Sequence, residues 1–360
     1  MGKKLLFIFS SFLLLLLATG FWLKSLIPPP QDHHALAQTV PADLDYLRQR
    51  PAESRGRILA VVTSTGTLGS TGKSTGYELT ELARPYYVFV ANGFDVDIAS
   101  PEGGLPPVVI DNDDMGPFDY AFLNDPQAQE KLHNSIPVDQ VAEENYRAVF
   151  FVGGKGAMFD FPDNPAIQRL VRELYRDGKV IGAVCHGPAA LANVTLENGE
   201  SLVSNRRVTG FTNEEELFLI PDAREIFPYL LEDRLRNSGA IFEPGPAYLK
   251  QVSIDGQLLT GQNPWSTWPV AEAMVTALGY KPVPRAITPA ENTVEILLAY
   301  EQRGRATAGE KLQQMQQQEG EAIDRRLLAM HGIVAAMRGE IGKSLDLVRL
   351  LAQAGSYEAQ

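Results

Sequence analysis

The sequence predicts an α/β protein in which a mostly parallel sheet is covered by helices on both faces. Short apolar runs that contain β-branched residues alternate along the chain with segments of helical composition. The runs are apolar at nearly every position, which is typical of strands that are buried on both faces. Strands and helices that alternate in this way indicate a parallel sheet with crossover helices.

The predicted elements lie between residues 57 and 280, which we take as one domain. Strands are predicted at Ile58–Val62, Phe94–Ala99, Ala148–Val152 and Val180–Val184, with later strands near Arg207–Gly210 and Lys250–Ile254. Helices are predicted at Tyr77–Asn92, Asn164–Asp177 and Val270–Leu278. Glycine follows the first two helices, as is common at helix ends. The segment Pro101–Glu144 shows little regular pattern and is predicted to be a long insertion.

The first 27 residues predict a membrane helix. Two lysines precede an uncharged apolar run from Leu5 to Leu23, which is close to the ~20 residues that a helix needs to cross a bilayer. The lysines predict a cytoplasmic N-terminus and a catalytic domain on the extracytoplasmic, periplasmic side. Ala35-Leu36-Ala37 is similar to a cleavage site but lies well beyond the apolar run. An uncleaved anchor is therefore favoured, with secretion after cleavage as the alternative.

Two further segments flank the predicted domain. Residues 28–56 contain three consecutive prolines and mixed polar residues, and they are predicted to form a linker. Residues 281–360 predict a helical C-terminal extension. Its helices are expected at Glu291–Arg303, Gly309–Ala336 and Lys343–Ala354, with faces rich in Gln and Glu. The sequence assigns no function to this extension.

The composition excludes several classes of protein. The formal net charge is −12 and the pI is about 5.0, which argues against a nucleic-acid partner because phosphates require a basic surface. The five histidines are scattered, so no metal site is predicted. The single cysteine, Cys185, excludes an intramolecular disulfide framework. This residue is either a small buried hydrophobe or a reactive thiol.

The surroundings of Cys185 favour a reactive thiol. The apolar run Val180–Val184 leads into Cys185-His186-Gly187, and the helix-like Ala-Ala-Leu-Ala follows. Small residues two positions before and after a nucleophile are typical of a nucleophile elbow, a strained turn between a strand and a helix. This turn would place the thiol at the carboxyl edge of the sheet, where α/β proteins bind ligands. We expect the N–H groups of the following helix to lower the pKa of the thiol.

Two residues are candidate partners of the thiol. His186 is the local base candidate. The only later histidine, His331, lies in the C-terminal extension, so a glutamine-amidotransferase triad lacks its distal base. Glu81 lies at the start of a helix that faces the same edge of the sheet. It is either a partner of Cys185 or a solvated carboxylate at a helix N-terminus.

Several segments of the chain resemble the ThiJ/PfpI superfamily, and in particular its glyoxalase III-like, heat-shock-chaperone-like branch. Members are often labelled as containing a type 1 glutamine amidotransferase domain. The resemblance covers about residues 57–280. The motifs are Glu81-x-x-x-Pro85, GFDVDIASPEGGLPP (93–107), FVGGKGAMFDF (151–161), GAVCHGPAAL (182–191), VTGFTNEEE (208–216) and DGQLLTGQNPWST (255–267).

This resemblance implies a flavodoxin-like α/β sandwich and a catalytic triad of Cys185, His186 and Glu81. It implies that Glu81 contacts the cysteine, and we expect this carboxyl to be protonated because burial raises its pKa. The implied reaction is the glutathione-independent conversion of methylglyoxal to D-lactate, a lyase-type detoxification without a cofactor or metal. Backbone N–H groups near Gly153-Gly154 are expected to hold the oxyanion. The implied partners are a small reactive carbonyl substrate and, as in much of the superfamily, a second copy of the chain.

The chain departs from the branch in one turn, and two other functions stay open. The branch often has GGHG where this chain has GGKG, so Lys155 replaces a titratable ring with a cation. If Lys155 faces the pocket, it favours the thiolate. The first alternative function is a non-enzymatic stress protein, either a chaperone or a cysteine redox sensor. The second is a protein deglycase or amidase that uses the same cysteine.

Overall fold

A computed structural model describes residues 26–28, 33–318 and 322–357. The chain divides into two compact units. One comprises Asp32–Arg285, and the other combines Met1–Gln31 with Ala286–Gln360. The predicted membrane span Leu5–Leu23 lies outside the described residues. Within the described ranges, no helix has both the length and the apolar character needed to cross a bilayer.

The unit Asp32–Arg285 is built around a seven-stranded sheet. The strands of this unit are β1 (Arg57–Val61), β2 (Tyr77–Glu78), β3 (Asp95–Ser100), β4 (Val108–Val109), β5 (Ile136–Pro137), β6 (Tyr146–Phe151), β7 (Val180–Val184), β8 (Arg207–Val208), β9 (Ile241–Phe242), β10 (Val252–Asp255) and β11 (Leu258–Gly261). The order in the seven-stranded sheet is β10-β11-β7-β6-β1-β3-β5, and neighbouring strands pair in parallel, except that β10 runs antiparallel to β11. The expected mostly parallel α/β sheet is confirmed.

Helices cover both faces of this sheet and bury two apolar cores against it. The helices of this unit are α1 (His33–Leu36), α2 (Leu79–Ala91), α3 (Pro117–Leu123), α4 (Pro126–His133), α5 (Ala157–Asp160), α6 (Pro165–Arg176), α7 (Ala189–Ala192), α8 (Asn213–Leu219), α9 (Ala223–Ile226), α10 (Leu231–Asn237) and α11 (Thr267–Ala277). Short 3-10 helices lie at Pro41–Asp43, Asp45–Gln49, Val138–Gln140, Glu143–Asn145 and Pro264–Ser266. Every residue of β7 is buried, as its continuous apolar sequence predicts.

The strand register brings three chain segments together at one edge of the sheet. Val61 lies opposite Phe151, and Phe151 lies opposite Ala183, so β1, β6 and β7 end at the same level. The residues that follow β6 and β7 are the Gly153-Gly154 turn and Cys185. Because parallel strands present their carboxyl ends at one edge, the topology itself brings the predicted turn next to the predicted nucleophile.

The structure differs from the sequence-based expectation in two segments of this unit. The insertion Pro101–Glu144 contains α3, α4, β4 and β5, so it is more regular than its sequence pattern predicted. Pro117 and Pro126 each begin a helix at its first position, where the missing N–H costs nothing. Strand β11 was not predicted. Its four residues are too few to show a periodic pattern, and it is defined by its pairing with β7.

In the part of the second unit that follows Ala286, the described residues form the helices α12 (Pro289–Arg303), α13 (Arg305–Gln317), α14 (Arg325–Met337) and α15 (Ile341–Tyr357). The single helix expected at Gly309–Ala336 was wrong. The Asp324 side chain accepts hydrogen bonds from the N–H groups of Arg326 and Leu327, which starts a new helix at that point. His331 points inward from α14, and burial, with a smaller effect of Lys343, lowers the pKa of its imidazole to about 4.

Buried His331 should make the stability of α14 depend on pH. Its folded-state pKa lies below the unfolded value, so the unfolded chain binds more protons between about pH 4 and 6.5. Stability is full above the unfolded pKa and falls as the pH drops through the folded pKa, by about 3 kcal/mol in total. In His331→Leu this dependence should disappear. Hydrogen exchange of peptides from α14 at pH 4.5 and pH 7 would measure it. An unchanged pH dependence in the variant would contradict the assignment to His331.

Candidate active site

The backbone at Cys185 has the strained geometry of a nucleophile elbow. Cys185 has φ of 58°, a region that non-glycine residues rarely occupy. Its N–H donates to the Gly261 carbonyl at 2.9 Å, and its own carbonyl accepts from the Phe211 N–H at 2.8 Å. A side chain at Gly187 would collide with the Phe151 carbonyl, so the turn requires glycine there. Fixed hydrogen bonds and tight packing therefore hold the thiol at the edge of the sheet.

His186 connects the thiol to a second carboxylate. The Cys185 Sγ lies 3.3 Å from His186 Nδ1, and His186 Nε2 lies 2.6 Å from Glu216 Oε2. The His186 ring also packs against Phe211, with ring centroids 4.7 Å apart. If His186 donates its Nε2–H to Glu216, Nδ1 is left to accept the thiol proton. The three side chains thus form a Cys-His-Glu relay of the kind that activates nucleophiles.

Glu81, at the start of α2, is the second group beside the thiol. Its side chain is fully buried, and neither carboxyl oxygen makes a well-formed hydrogen bond to a described residue. A Cβ at Gly153 would collide with Glu81 Oε2 and would lie 2.7 Å from Cys185 Cβ. The carboxyl and the thiol therefore approach each other across a glycine that must lack a side chain. The alternative of a solvated carboxylate at a helix start is wrong, because Glu81 has no exposure to water.

Burial controls the charge of this pair. It raises the pKa of Glu81 to about 7, although the Cys185 thiol and the Gly153 N–H are close enough to lower it in part. Burial also raises the pKa of the Cys185 thiol well above its ordinary value, and the neighbouring Glu81 carboxylate raises it further. When two buried acids are in contact, ionisation of both at the same time is unfavourable. The expected protonation of Glu81 agrees with the direction of its shift.

The expected low pKa of the free thiol was wrong. The prediction relied on helix N–H groups directed at the sulfur, but α7 is only four residues long and Cys185 is 6% exposed. Desolvation therefore outweighs any favourable field from the helix terminus. The net charge of the site stays the same on ionisation of the thiol only when Glu81 or His186 accepts the thiol proton.

The Gly-Gly turn packs on the segment that carries Glu81. Gly154 has φ of 104°, and a side chain there would lie 2.7 Å from the Tyr77 Cα. The next residue, Lys155, is partly exposed, and its positive charge favours the ionised forms of Cys185 and Glu81. Lys155 thus acts electrostatically on the site. All six predicted residues (Cys185, His186, Glu81, Gly153, Gly154 and Lys155) are grouped at this edge of the sheet.

Sequence reasoning missed Glu216. It belongs to the run Glu214–Glu216 in the first turn of α8, inside a segment whose resemblance was noted but whose residues were given no role. Glu215 is also buried and closes a capping box with Thr212, so its role is structural. In the sequence, the indication of a functional carboxylate near Glu216 was this run of acidic residues. Choosing between neighbouring carboxylates requires knowing which side of α8 faces His186.

A buried cysteine on an elbow, linked to a histidine and flanked by a protonatable carboxyl, defines a cysteine-dependent enzyme of the α/β type. The comparisons with known proteins agree. The DJ-1/PfpI family profile matches residues 73–277, so the chain belongs to the DJ-1/PfpI family.

Three relatives illustrate the similarity. The glutathione-independent glyoxalase hsp3102 of Schizosaccharomyces pombe is 32% identical over 237 residues, which cover 63% of this chain and 99% of that protein. The solved structure of Rapid Encystment Protein 24 KDa from Francisella tularensis has a TM-score of 0.59 and 35% identity, covering 62% of this chain and all of that one. Glyoxalase III from Candida albicans has a TM-score of 0.55 and 28% identity, covering 62% and 97%.

Replacement of Gly153 by alanine should disturb both the packing and the site. The new methyl group would have to displace either the Glu81 carboxyl or the Cys185 side chain. Overpacking of this kind costs typically ~1–3 kcal/mol of unfolding free energy. Urea unfolding of the full chain measures the loss. Gly116→Ala is the matched control, because its Cβ would meet its nearest neighbour at 3.8 Å. Equal stability of the two variants would contradict the close approach at Gly153.

Proposed function

We propose that this protein is a glyoxalase III-like enzyme that converts methylglyoxal to D-lactate without glutathione. The observation that carries the proposal is the buried contact between Glu81 and Cys185 across Gly153. The names of the relatives support the same activity, since hsp3102 and glyoxalase III are glyoxalases. The small carbonyl substrate suits a confined site, and the chemistry proposed for it uses only side chains and backbone of the chain.

In the first step, the Cys185 thiol loses its proton to His186 and attacks the aldehyde carbon of methylglyoxal. A carbon–sulfur bond forms, and the aldehyde oxygen becomes the hydroxyl of a hemithioacetal. Glu81, as the carboxylate, then removes the proton from the former aldehyde carbon and returns it to the neighbouring keto carbon through an enediol. The first carbon is thereby oxidised to a thioester and the second is reduced to an alcohol. Water cleaves the thioester, releasing lactate and the thiol.

The backbone beside the thiol supports the oxyanion role proposed for the Gly-Gly turn. In the described part of the chain, the N–H groups of Gly154 and His186 donate no hydrogen bond to a protein acceptor. Gly154 follows Gly153, which packs against the Cys185 side chain, and His186 follows Cys185 itself. Preorganised N–H donors of this kind stabilise the negative oxygen that develops during addition to a carbonyl.

The same geometry bears on the alternatives. A redox sensor needs an accessible thiol with a low pKa, whereas Cys185 is buried and its pKa is raised. This argues for an enzyme over a sensor. A deglycase or amidase would use the same cysteine and oxyanion donors, so the substrate assay has to separate these reactions. A homodimer stays a prediction from the resemblance.

The direct test is lactate formation from methylglyoxal by the full chain without glutathione. The wild type should form D-lactate and Cys185→Ser none. Glu81→Gln should lower kcat by at least ~100-fold, because a general base contributes ~10²–10⁴-fold. Glu216→Gln keeps the shape but weakens the support of His186, so a smaller loss is expected.

Glu214→Gln, on the same turn of α8, is the matched control for Glu216 and should keep wild-type activity. Lactate from Cys185→Ser, or no lactate from the wild type, would refute the glyoxalase proposal. Release of amine from a glycated peptide by the wild type, in the absence of lactate, would favour the deglycase reaction instead.

We further propose that the apolar run Leu5–Leu23 anchors the chain in a membrane with its catalytic domain on the extracytoplasmic side. The support is the sequence alone. Wild-type protein should stay with the membrane pellet after alkaline carbonate extraction, because a spanning helix is not released by charge disruption. Leu14→Arg combined with Leu16→Arg should release it, whereas Leu14→Ala with Leu16→Ala should not. Wild type in the supernatant would refute the anchor.

A further inference from the structure

A second carboxyl, Glu78, lies next to the candidate site and has no role in the mechanism above. It immediately precedes α2, three residues before Glu81, and its N–H donates to the Gly153 carbonyl at 3.2 Å. Its Oε1 is buried without a hydrogen-bond partner in the described part of the chain. Burial, and then the Glu81 charge, raises the pKa of Glu78 to about 8. Glu78 is therefore mostly neutral at neutral pH.

Lys155 lies against the same backbone. A Cβ at Gly154, the residue before it, would lie 2.8 Å from the Glu78 N, so the turn that carries Lys155 packs directly on Glu78. Among the described residues, the Lys155 ammonium makes no hydrogen bond or salt bridge. Its charge nevertheless acts on Glu78, Glu81 and Cys185 together. A cation without an ion-pair partner thus lies beside three acids.

We propose that Lys155 and Glu78 are positioning residues that fix the charge of the Cys185–Glu81 pair. The positive charge of Lys155 stabilises one negative charge in that pair. Glu78 stays neutral in its buried position and therefore does not repel that charge. The inference relies on Cys185 being the nucleophile of the proposed function. It does not depend on which carbonyl compound is the substrate.

The other charged groups around the Cys185–Glu81 pair are engaged with partners or exposed to water, so this role is assigned to Lys155. Asp114, which faces Glu78 and Glu81, is held 3.2 Å from the buried Arg84 guanidinium. Asp111 also faces Glu78 but is exposed, and water screens exposed charges. On the elbow side, Glu215 faces Cys185 but is engaged in hydrogen bonds with Thr212, Tyr248 and Asn263. His186 is paired with Glu216.

The positive charge of Lys155 and the neutral carboxyl of Glu78 each have a defined effect on the reaction. One negative charge must move between Glu81 and Cys185, because the thiolate attacks while Glu81 must be ionised to remove the substrate proton. Lys155 stabilises either location of that charge. Ionised Glu78 would repel both locations. Lys155 therefore favours the charged form of the Cys185–Glu81 pair, and Glu78 leaves this effect undiminished as long as it stays neutral.

The test is a titration of the single cysteine in the full chain. The ultraviolet absorbance of the thiolate is followed from neutral to alkaline pH, with the signal of Cys185→Ser subtracted. Lys155→Met should move the appearance of the thiolate to higher pH by roughly one unit, about a tenfold lower thiolate fraction at a given pH. Lys155→Arg keeps the charge and should match the wild type. Glu78→Gln should match the wild type near neutral pH, where Glu78 is neutral, and should raise the thiolate fraction by roughly two- to threefold only above about pH 8, where the wild-type carboxyl ionises.

Lys73→Met and Glu102→Gln remove one exposed charge each from the same unit and serve as matched controls. They should leave the titration unchanged, and circular dichroism confirms that each variant is folded. An unshifted titration in Lys155→Met, or a shift of Glu78→Gln to higher pH, would overturn the proposal. The readout is independent of lactate. A wild type that makes no lactate but shows both shifts would refute the proposed reaction while supporting this charge arrangement.

Discussion

The close approach of the Glu81 carboxyl to the Cys185 thiol is the constraint on which the rest of the site depends. Both groups are buried, and both become negative when they ionise. Their contact is possible only because Gly153 has no side chain and because the elbow holds Cys185 in a strained conformation. Desolvation and mutual repulsion then limit the pair to one negative charge. The parallel sheet makes this possible by ending β6 and β7 at the same level.

The two glutamates that flank the cysteine have different environments and therefore different chemistry. Glu81 has no well-formed hydrogen bond, and its pKa is raised to about 7, so it can gain and lose a proton near neutral pH. Glu216 accepts or shares a proton with His186 at 2.6 Å and orients the ring. These different environments assign Glu81 to proton transfer and Glu216 to the orientation of His186.

The sequence predicted the parts of this site that local chain geometry determines. The elbow at Cys185, the Gly-Gly turn and the buried strands each leave a signature in consecutive residues, and the structure places them as expected. Strand β11 left no such signature, because its existence depends on pairing with β7. Glu216 was missed since only the packing of α8 distinguishes it from Glu214 and Glu215. The thiol pKa was predicted in the wrong direction because burial, a property of the whole fold, outweighs a local helix terminus.

The charge of the site also bears on how the proposed reaction ends. Methylglyoxal is neutral, so its binding and the proton transfer between its carbons leave one negative charge among Cys185, Glu81 and the intermediate. Thioester hydrolysis creates a carboxylate beside the pair and adds a second charge to a buried site. Like-charge repulsion then favours departure of the product. Lys155, partly exposed on the Gly-Gly turn, offers the leaving anion a cation nearer to solvent. The restriction to one charge that permits proton transfer therefore also promotes release of lactate.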